Sequence, residues 1–337
     1  MTVNEVEVVT TRLPLVEKYR PKDLSELVSH TEIISTIKKM IKENKVPHFL
    51  FYGPPGTGKT STIKAMAHEL YGKDGYRSKV LELNASDDRG IDVVREGIIP
   101  FAQNSVVGFG PTDESAFKLI ILDEADAMTK DAQNALKRVI EKYSGHTRFC
   151  LICNHLSSII PAIQSRCTRF RFPPLGENQI RPRLDFVVKN EGLSVTEDGK
   201  KALFLLSGGD MRKILNVLQS TYLAFGEVTE KNVYACVGQS NPEVIKRIVE
   251  CAMNENMDEA VRKIKRILKE NALSMADVLE NMSELVMSIG YDENIAAHLI
   301  MELSKIQTNV TMGASENIQM NAMIAAFVLA REGTFRV

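Results

Sequence analysis

The phosphate-binding pattern at residues 53–60 constrains the fold of this 337-residue chain more than any other feature. Its sequence, Gly-Pro-Pro-Gly-Thr-Gly-Lys-Thr, fits GxxxxGK[ST] at every fixed position, follows an apolar run over 48–52 and opens a helical pattern over 61–70. Glycine permits backbone angles that direct several N–H groups at one phosphate, and the helix N-terminus adds partial positive charge. The residues predicted to bind a nucleotide here are Gly53, Pro54, Pro55, Gly56, Thr57, Gly58, Lys59, Thr60 and Ser61.

A second apolar run supplies the carboxylates that such a site needs. Leu119–Leu122 is followed directly by Asp123 and Glu124, and ligands of open α/β sheets bind at the carboxyl ends of the strands. We predict that Lys59 contacts the β- and γ-phosphates and that Thr60 and Asp123 hold Mg²⁺, Asp123 through water. Glu124 is then the predicted general base for the attacking water.

The sequence favours adenine as the base. The guanine-reading pattern NKxD is missing, because Asn44-Lys45 is followed by Val46-Pro47. The predicted cofactors are therefore ATP and Mg²⁺.

Short apolar runs alternate with helical patterns in the first half of the chain, which predicts an α/β fold with a parallel five-stranded sheet. After the helix-breaking pair Pro173-Pro174 only helical periodicity remains. We predict three domains, at 1–173, 174–238 and 239–337. The predicted strands are Phe49–Tyr52, Val80–Leu83, Leu119–Leu122, Phe149–Ile152 and Arg169–Phe172.

Composition limits the remaining possibilities. The formal net charge is −1, so a DNA contact would have to come from a local basic patch. The five cysteines are scattered, and the CxxC pair Cys150 and Cys153 lies in an apolar run, which favours core packing over a zinc or redox site. No apolar run reaches the roughly 18 residues of a membrane span, and no signal-peptide pattern is present, so we expect an intracellular protein.

Further motifs stand in order along nearly the whole chain, and together they resemble the small subunits of replication factor C, the nuclear clamp loader of the AAA+ class. The resemblance implies an AAA+ ATPase domain, a helical lid and an all-helical collar. It also implies a nuclear heteropentamer that loads a sliding clamp of the PCNA type onto primer–template DNA in replication and repair. The motifs are Val16–Pro21 (VEKYRP), Gly53–Thr60, Leu81–Gly90 (LELNASDDRG), Asp123–Asp126 (DEAD), Ser165–Cys167 (SRC) and Gly209–Arg212 (GDMR).

The resemblance also assigns roles within one subunit. Asn154 would be sensor 1, which hydrogen-bonds the γ-phosphate or the attacking water, although an Asn that ends a strand is usually a turn residue. Arg212 would be sensor 2, the lid arginine, although an exposed helix charge would otherwise be the better interpretation. The adenine pocket would be lined by Val16, Tyr19, Arg20 and Pro21.

Other residues would act between molecules. The resemblance implies that Arg166 enters the ATP site of a neighbouring subunit, where it would neutralise charge on the transferring phosphoryl group; the alternative is a solvated basic strand edge with Arg169 and Arg171. Arg89 and Arg95 would contact DNA phosphates without reading bases, although Arg89 could equally pair with Asp87 or Asp88.

Two departures from the family pattern bear on these expectations. Leu15 stands where the family usually has tryptophan, so the packing beneath the adenine pocket is expected to differ. The glycine-rich segment 105–115 is longer than expected, and its Val106, Val107 and Phe109 are only candidates for the clamp contact.

Two rival functions stay open. One is another AAA+ motor, such as a branch-migration helicase or a protein unfoldase; the lack of an aromatic residue in 84–90 weakens the unfoldase. The other is a structural subunit that binds ATP without hydrolysing it, against which the intact Lys59, Thr60, Asp123 and Glu124 argue.

Overall fold

A computed structural model of the chain describes residues 13–21, 23–24, 26–27, 30–87, 89–103, 117–271 and 273–332. The chain divides into two compact units, residues 1–228 and 229–337. The first unit contains the predicted ATPase domain and most of the predicted lid, and the second contains the predicted collar. The three domains with boundaries at 173 and 238 stay a prediction.

The first unit is built on a five-stranded sheet, as predicted. The strands are β1 Phe49–Tyr52, β2 Val80–Asn84, β3 Lys118–Asp123, β4 Thr147–Cys153 and β5 Thr168–Arg171. Their order in the sheet is β2-β3-β4-β1-β5, and every neighbouring pair is parallel. This order places β1 beside β4, so that Tyr52 at the end of β1 is in register with Cys153 at the end of β4.

Helices connect and cover these strands. The helix after β1 is longer than the predicted stretch 61–70 and contains a non-helical Gly72 with φ 63°. A π-helical stretch, Val93–Ile98, runs directly into the short helix Ile99–Gln103, and two short 3₁₀ turns lie at Ala125–Ala127 and Leu156–Ser158. The α-helices are α1 Leu15–Lys18, α2 Thr31–Lys42, α3 Lys59–Lys79, α4 Ile99–Gln103, α5 Lys130–Tyr143, α6 Pro161–Gln164, α7 Glu177–Glu191, α8 Glu197–Ser207 and α9 Met211–Phe225.

Both faces of the sheet are buried, as expected for parallel strands between helices. Alternate strand residues such as Leu50 and Leu151 pack with α5 and the π-helical stretch on one face, whereas Phe51 and Ile152 pack with α2 and α3 on the other. Cys150 and Cys153 are three residues apart on β4 and therefore point to opposite faces, each into a different core cluster. The prediction that this CxxC pair is core packing is confirmed.

The second unit is helical, with its own apolar core. Four of its methionines, among them Met275 and Met323, are buried, whereas Met287, Met301 and Met312 are exposed. Among the described residues, no helix combines the length and apolar character needed to cross a membrane. The helices are α10 Glu230–Val237, α11 Pro242–Asn254, α12 Met257–Glu270, α13 Met275–Ser288, α14 Glu293–Thr311 and α15 Glu316–Glu332.

One predicted surface cannot be placed on this fold. The candidate clamp-contact residues Val106, Val107 and Phe109 lie outside the described residues.

Candidate nucleotide site

The loop between β1 and α3 has the tight backbone that a phosphate cradle requires. Gly53, Gly56 and Gly58 have φ values of 141°, 68° and 94°, a region that side chains make costly. A Cβ at Gly53 would lie 2.0 Å from the carbonyl oxygen of Phe172, and one at Gly56 would lie 1.7 Å from Oδ1 of Asp210. The glycines therefore permit both the loop conformation and its close contact with neighbouring segments.

Lys59 is buried in this loop, and its ammonium group has three hydrogen-bond acceptors. Its Nζ lies 2.7 Å from the carbonyl oxygen of Gly53, 2.8 Å from that of Pro54 and 3.1 Å from Oδ1 of Asn154. Burial lowers the pKa of Lys59, and the carboxylate of Asp123 opposes that shift. The predicted phosphate-binding lysine and the predicted sensor 1 residue are thus in direct contact.

The two predicted magnesium residues are also in contact. The Thr60 hydroxyl donates to Oδ2 of Asp123 at 2.8 Å, which leaves the hydroxyl lone pairs free for a cation. Hydroxyl, carboxylate and water oxygens are the hard ligands that Mg²⁺ prefers. This pair therefore fits the predicted metal.

Glu124 follows Asp123 in an unusual backbone conformation. Its φ of 52° and ψ of 39° place a non-glycine residue in the left-handed region, at a cost of about 1–3 kcal/mol. Its N–H donates to Oδ1 of Asp123 at 2.9 Å, and its side chain is exposed. Such outliers concentrate at functional sites, where the surrounding structure holds them in place.

A polar cavity of about 570 Å³ brings these predicted residues together. Arg212, in the first turn of α9, also lines this cavity. Oδ1 of Asp210 caps α9 by accepting a hydrogen bond from the Arg212 N–H at 2.8 Å. Gly53 and Pro54 contribute carbonyl oxygens to Lys59 but do not line the cavity. The lining residues are Pro55, Gly56, Thr57, Gly58, Lys59, Thr60, Asp123, Glu124, Ile152, Cys153, Asn154 and Arg212.

A second cavity, of about 780 Å³, shares Gly56, Thr57, Gly58 and Arg212 with the first. It contains the whole predicted adenine set, Val16, Tyr19, Arg20 and Pro21, together with Ser61. Sequence reasoning missed the remaining lining residues, namely Glu26, Leu27, Leu175, Gln179, Ile180, Arg183, Met211 and Leu215.

The missed residues belong mainly to α7, α9 and the segment before α7. Of these residues, only Met211 and Leu215 belong to a recognisable sequence pattern, an apolar i, i+4 spacing. That spacing predicts the buried face of a helix and does not indicate a pocket. The contact between loop and helix is direct, because the Met211 N–H donates to the Gly56 carbonyl at 3.3 Å.

The predicted intermolecular residues lie outside both cavities. Arg166 is exposed, forms an ion pair with Glu141 of α5, and donates to the Ala162 carbonyl. Arg89 and Arg95 are exposed, and Arg95 lies 4.0 Å from Asp92. The alternative pairing of Arg89 with Asp88 involves a residue outside the described ones.

Comparisons with known proteins agree with this geometry. The model of the ATPase family associated with various cellular activities (AAA) matches residues 49–175, the Replication factor C C-terminal domain matches 240–326, and the Rad17 P-loop domain matches 10–87. Replication factor C subunit 5 of mouse and that of human are each 50% identical over 320 residues, covering 95% of this chain and 93% of theirs. The chain belongs to the replication factor C subunit family.

Membership makes the chain an AAA+ ATPase and one subunit of a hetero-oligomer, and it confirms the resemblance predicted from the motifs. A probable replication factor C subunit 5 of Caenorhabditis elegans is also similar, at 47% identity over 336 residues, with 98% of this chain and 91% of that protein covered. The segments Leu151–Asn154 (LICN) and Ala224–Thr229 (AFGEVT) also resemble the fifth subunit in the human naming.

A solved structure confirms the fold class. The Thermotoga maritima RuvB Holliday junction branch migration motor matches with a TM-score of 0.51, covering 73% of this chain and 85% of that protein. At 12% identity this likeness shows the fold alone, so it gives no support to a branch-migration function.

Gly56 provides a test of the loop geometry. Gly56→Ala should destabilise the chain by at least about 2 kcal/mol, because the new Cβ would overlap Asp210 and alanine is strained at this φ. Urea unfolding of the full-length chain measures the change. Gly145→Ala is the matched control, since a Cβ there meets nothing within 4 Å. Equal stability of the two variants would contradict the close contact between the phosphate loop and the start of α9.

Proposed function

We propose that this chain is a small subunit of a heteropentameric clamp loader that binds and hydrolyses ATP with Mg²⁺. The complex would open a sliding clamp of the PCNA type and load it onto primer–template DNA in the nucleus. The observation that carries the proposal is the meeting of Lys59, Thr60, Asp123 and Asn154 at the carboxyl ends of β1, β3 and β4.

The two cavities, which share four lining residues, suit the two ends of a nucleotide. The second cavity, whose lining is mainly apolar, would receive adenine between the 16–21 segment and helices α7 and α9. The polar cavity would receive the triphosphate, where the 53–60 backbone and Lys59 supply N–H donors. Mg²⁺ bound by Thr60, and by Asp123 through water, would offset phosphate charge.

The residues that line the polar cavity would have separate roles in ATP hydrolysis. Glu124 would take a proton from the attacking water as general base. Asn154 would hold that water or the γ-phosphate through its side-chain amide. Arg212 lines both cavities, so it would contact the phosphates from the lid side.

Arg166 would complete the site of a neighbouring subunit. Its side chain is at the surface and its partner Glu141 is half exposed, so releasing it costs at most about 1 kcal/mol. An arginine supplied in trans accelerates related phosphoryl transfers by about 10³–10⁵, which corresponds to roughly 4–7 kcal/mol. The expected gain therefore far exceeds the cost of breaking the ion pair.

Substitution of Arg166 by alanine tests this role. In the reconstituted complex, Arg166→Ala should leave the ATP affinity of this chain unchanged and nearly abolish turnover at the one site that the arginine enters. ATP hydrolysis is measured with the clamp and primed DNA present. Arg169→Ala, which removes a nearby exposed charge on β5, should keep full turnover.

Two results would contradict the trans assignment. One is fast hydrolysis by the isolated chain that Arg166→Ala abolishes, which would place the arginine in its own site. The other is normal turnover in the complex that carries Arg166→Ala. A complex that binds ATP at this chain but never hydrolyses it there would instead support the structural rival.

DNA contact would come from the exposed arginines after β2. Arg89 precedes the π-helical stretch and Arg95 lies within it, both beyond the carboxyl end of β2. Phosphate contacts of this kind are independent of base sequence and weaken with salt, because binding releases counterions. That property suits a machine that loads clamps at any primer end.

Arg89→Ala should weaken primer–template binding by the complex and lower the salt slope by about one. Fluorescence anisotropy across a range of salt concentrations measures both. Arg77→Ala is the matched control: it removes an exposed arginine from the last turn of α3, which leads into the amino end of β2. An unaltered slope for Arg89→Ala would exclude the phosphate contact.

A further inference from the structure

The base side of the nucleotide pocket is formed by a segment that has little structure of its own. Val16, Tyr19, Arg20 and Pro21 line it, yet the segment contains a single helical turn, α1. So short a helix is not stable by itself. The position of this wall therefore depends on what the segment contacts.

Glu191, the last residue of α7, contacts two side chains of that segment. Its carboxylate accepts a hydrogen bond from the Tyr19 hydroxyl and lies 2.7 Å from Nζ of Lys18. The side chains of Lys18 and Glu191 are only 30% and 22% exposed, so solvent screens the pair less than a fully exposed one. Glu191 itself does not line the pocket.

Two more contacts join the same segment to the helices beyond the sheet. Arg183 of α7 donates to the main-chain carbonyl of Tyr19 at 2.7 Å, and the Leu15 N–H donates to Gln219 of α9 at 3.0 Å. The helix α7 thus holds Tyr19 by its main chain and by the tip of its side chain. The aromatic ring between these two points has a fixed place in the pocket wall.

We propose that Glu191 is a positioning residue of the nucleotide site: by holding Tyr19 and Lys18, it fixes the wall against which the nucleobase packs. Burial and the bond to Glu191 raise the pKa of Tyr19 to about 12, so its hydroxyl remains a donor. Hydrogen bonds from Lys18 and Tyr19 lower the pKa of Glu191 below its usual value, although burial opposes them. The interaction therefore persists at neutral pH. The inference rests on the proposed nucleotide binding.

Replacement of Glu191 should weaken nucleotide binding without changing the chemical step. Glu191→Met keeps the length of the side chain but removes the acceptor, and hydrogen bonds to charged groups are among the stronger ones. We expect an ATP dissociation constant about 5–20-fold higher in calorimetric titration of the full-length chain with Mg²⁺ present. Glu191→Gln keeps an acceptor without the charge and should recover part of the affinity. The kcat of the assembled complex should stay unchanged while its KM rises.

Two controls separate positioning from general stability. Glu197→Met removes another carboxylate with ion pairs, to Arg181 and Lys200, away from the pocket; whatever it does to thermal stability, it should leave ATP affinity intact. Tyr19→Phe should weaken ATP binding, and adding it to Glu191→Met should weaken it little further, because both changes remove one interaction.

The outcomes distinguish this inference from the function on which it rests. Unchanged ATP affinity in Glu191→Met, an equal loss in Glu197→Met, or full additivity with Tyr19→Phe would each overturn the positioning role while leaving nucleotide binding intact. Failure of the unaltered chain to bind ATP would instead overturn the proposed function itself.

Discussion

The ammonium group of Lys59 holds together the ends of two strands, and the arrangement of the site depends on that contact. It donates to the carbonyls of Gly53 and Pro54, which follow β1, and to Asn154, which follows β4. These segments meet because β1 and β4 are parallel neighbours, so their carboxyl ends reach the same edge of the sheet. The bond between Thr60 and Asp123 extends the same edge to β3. Strand order therefore decides which polar groups surround the polar cavity.

The other half of the pocket comes from helices beyond the sheet. The cap of α9 by Asp210 packs against Gly56, and α7 holds the segment that carries Tyr19. A nucleotide bound across both cavities would contact the phosphate loop and these helices together. Its binding energy would then favour one arrangement of the two parts over others, which is the physical requirement for a nucleotide-driven switch.

Much of this arrangement follows from the sequence, because it is encoded locally. Strand β1 has the predicted bounds, and β5 differs by one residue at each end; the phosphate loop is fixed by its glycines. The far wall of the pocket could not be predicted, since Gln179 and Arg183 carry no motif and reach the site only through tertiary packing. The part of α3 beyond the kink at Gly72 was also not predicted, because residues 73–79 carry no apolar stripe. Likewise, no local pattern indicates that Arg166 pairs with Glu141.

Calorimetric titration of ATP with Mg²⁺ into the full-length chain and into Lys59→Ala tests the central claim most directly. Lys59 is the cation of the phosphate loop that is predicted to contact the β- and γ-phosphates, and a hydrogen bond to a charged group contributes about 1.5–3 kcal/mol. The account predicts that ATP binds the variant about 10–100-fold more weakly than the unaltered chain. ADP binding should also weaken, whereas AMP should bind the two proteins with equal affinity. Equal ATP affinity in the two proteins would contradict it.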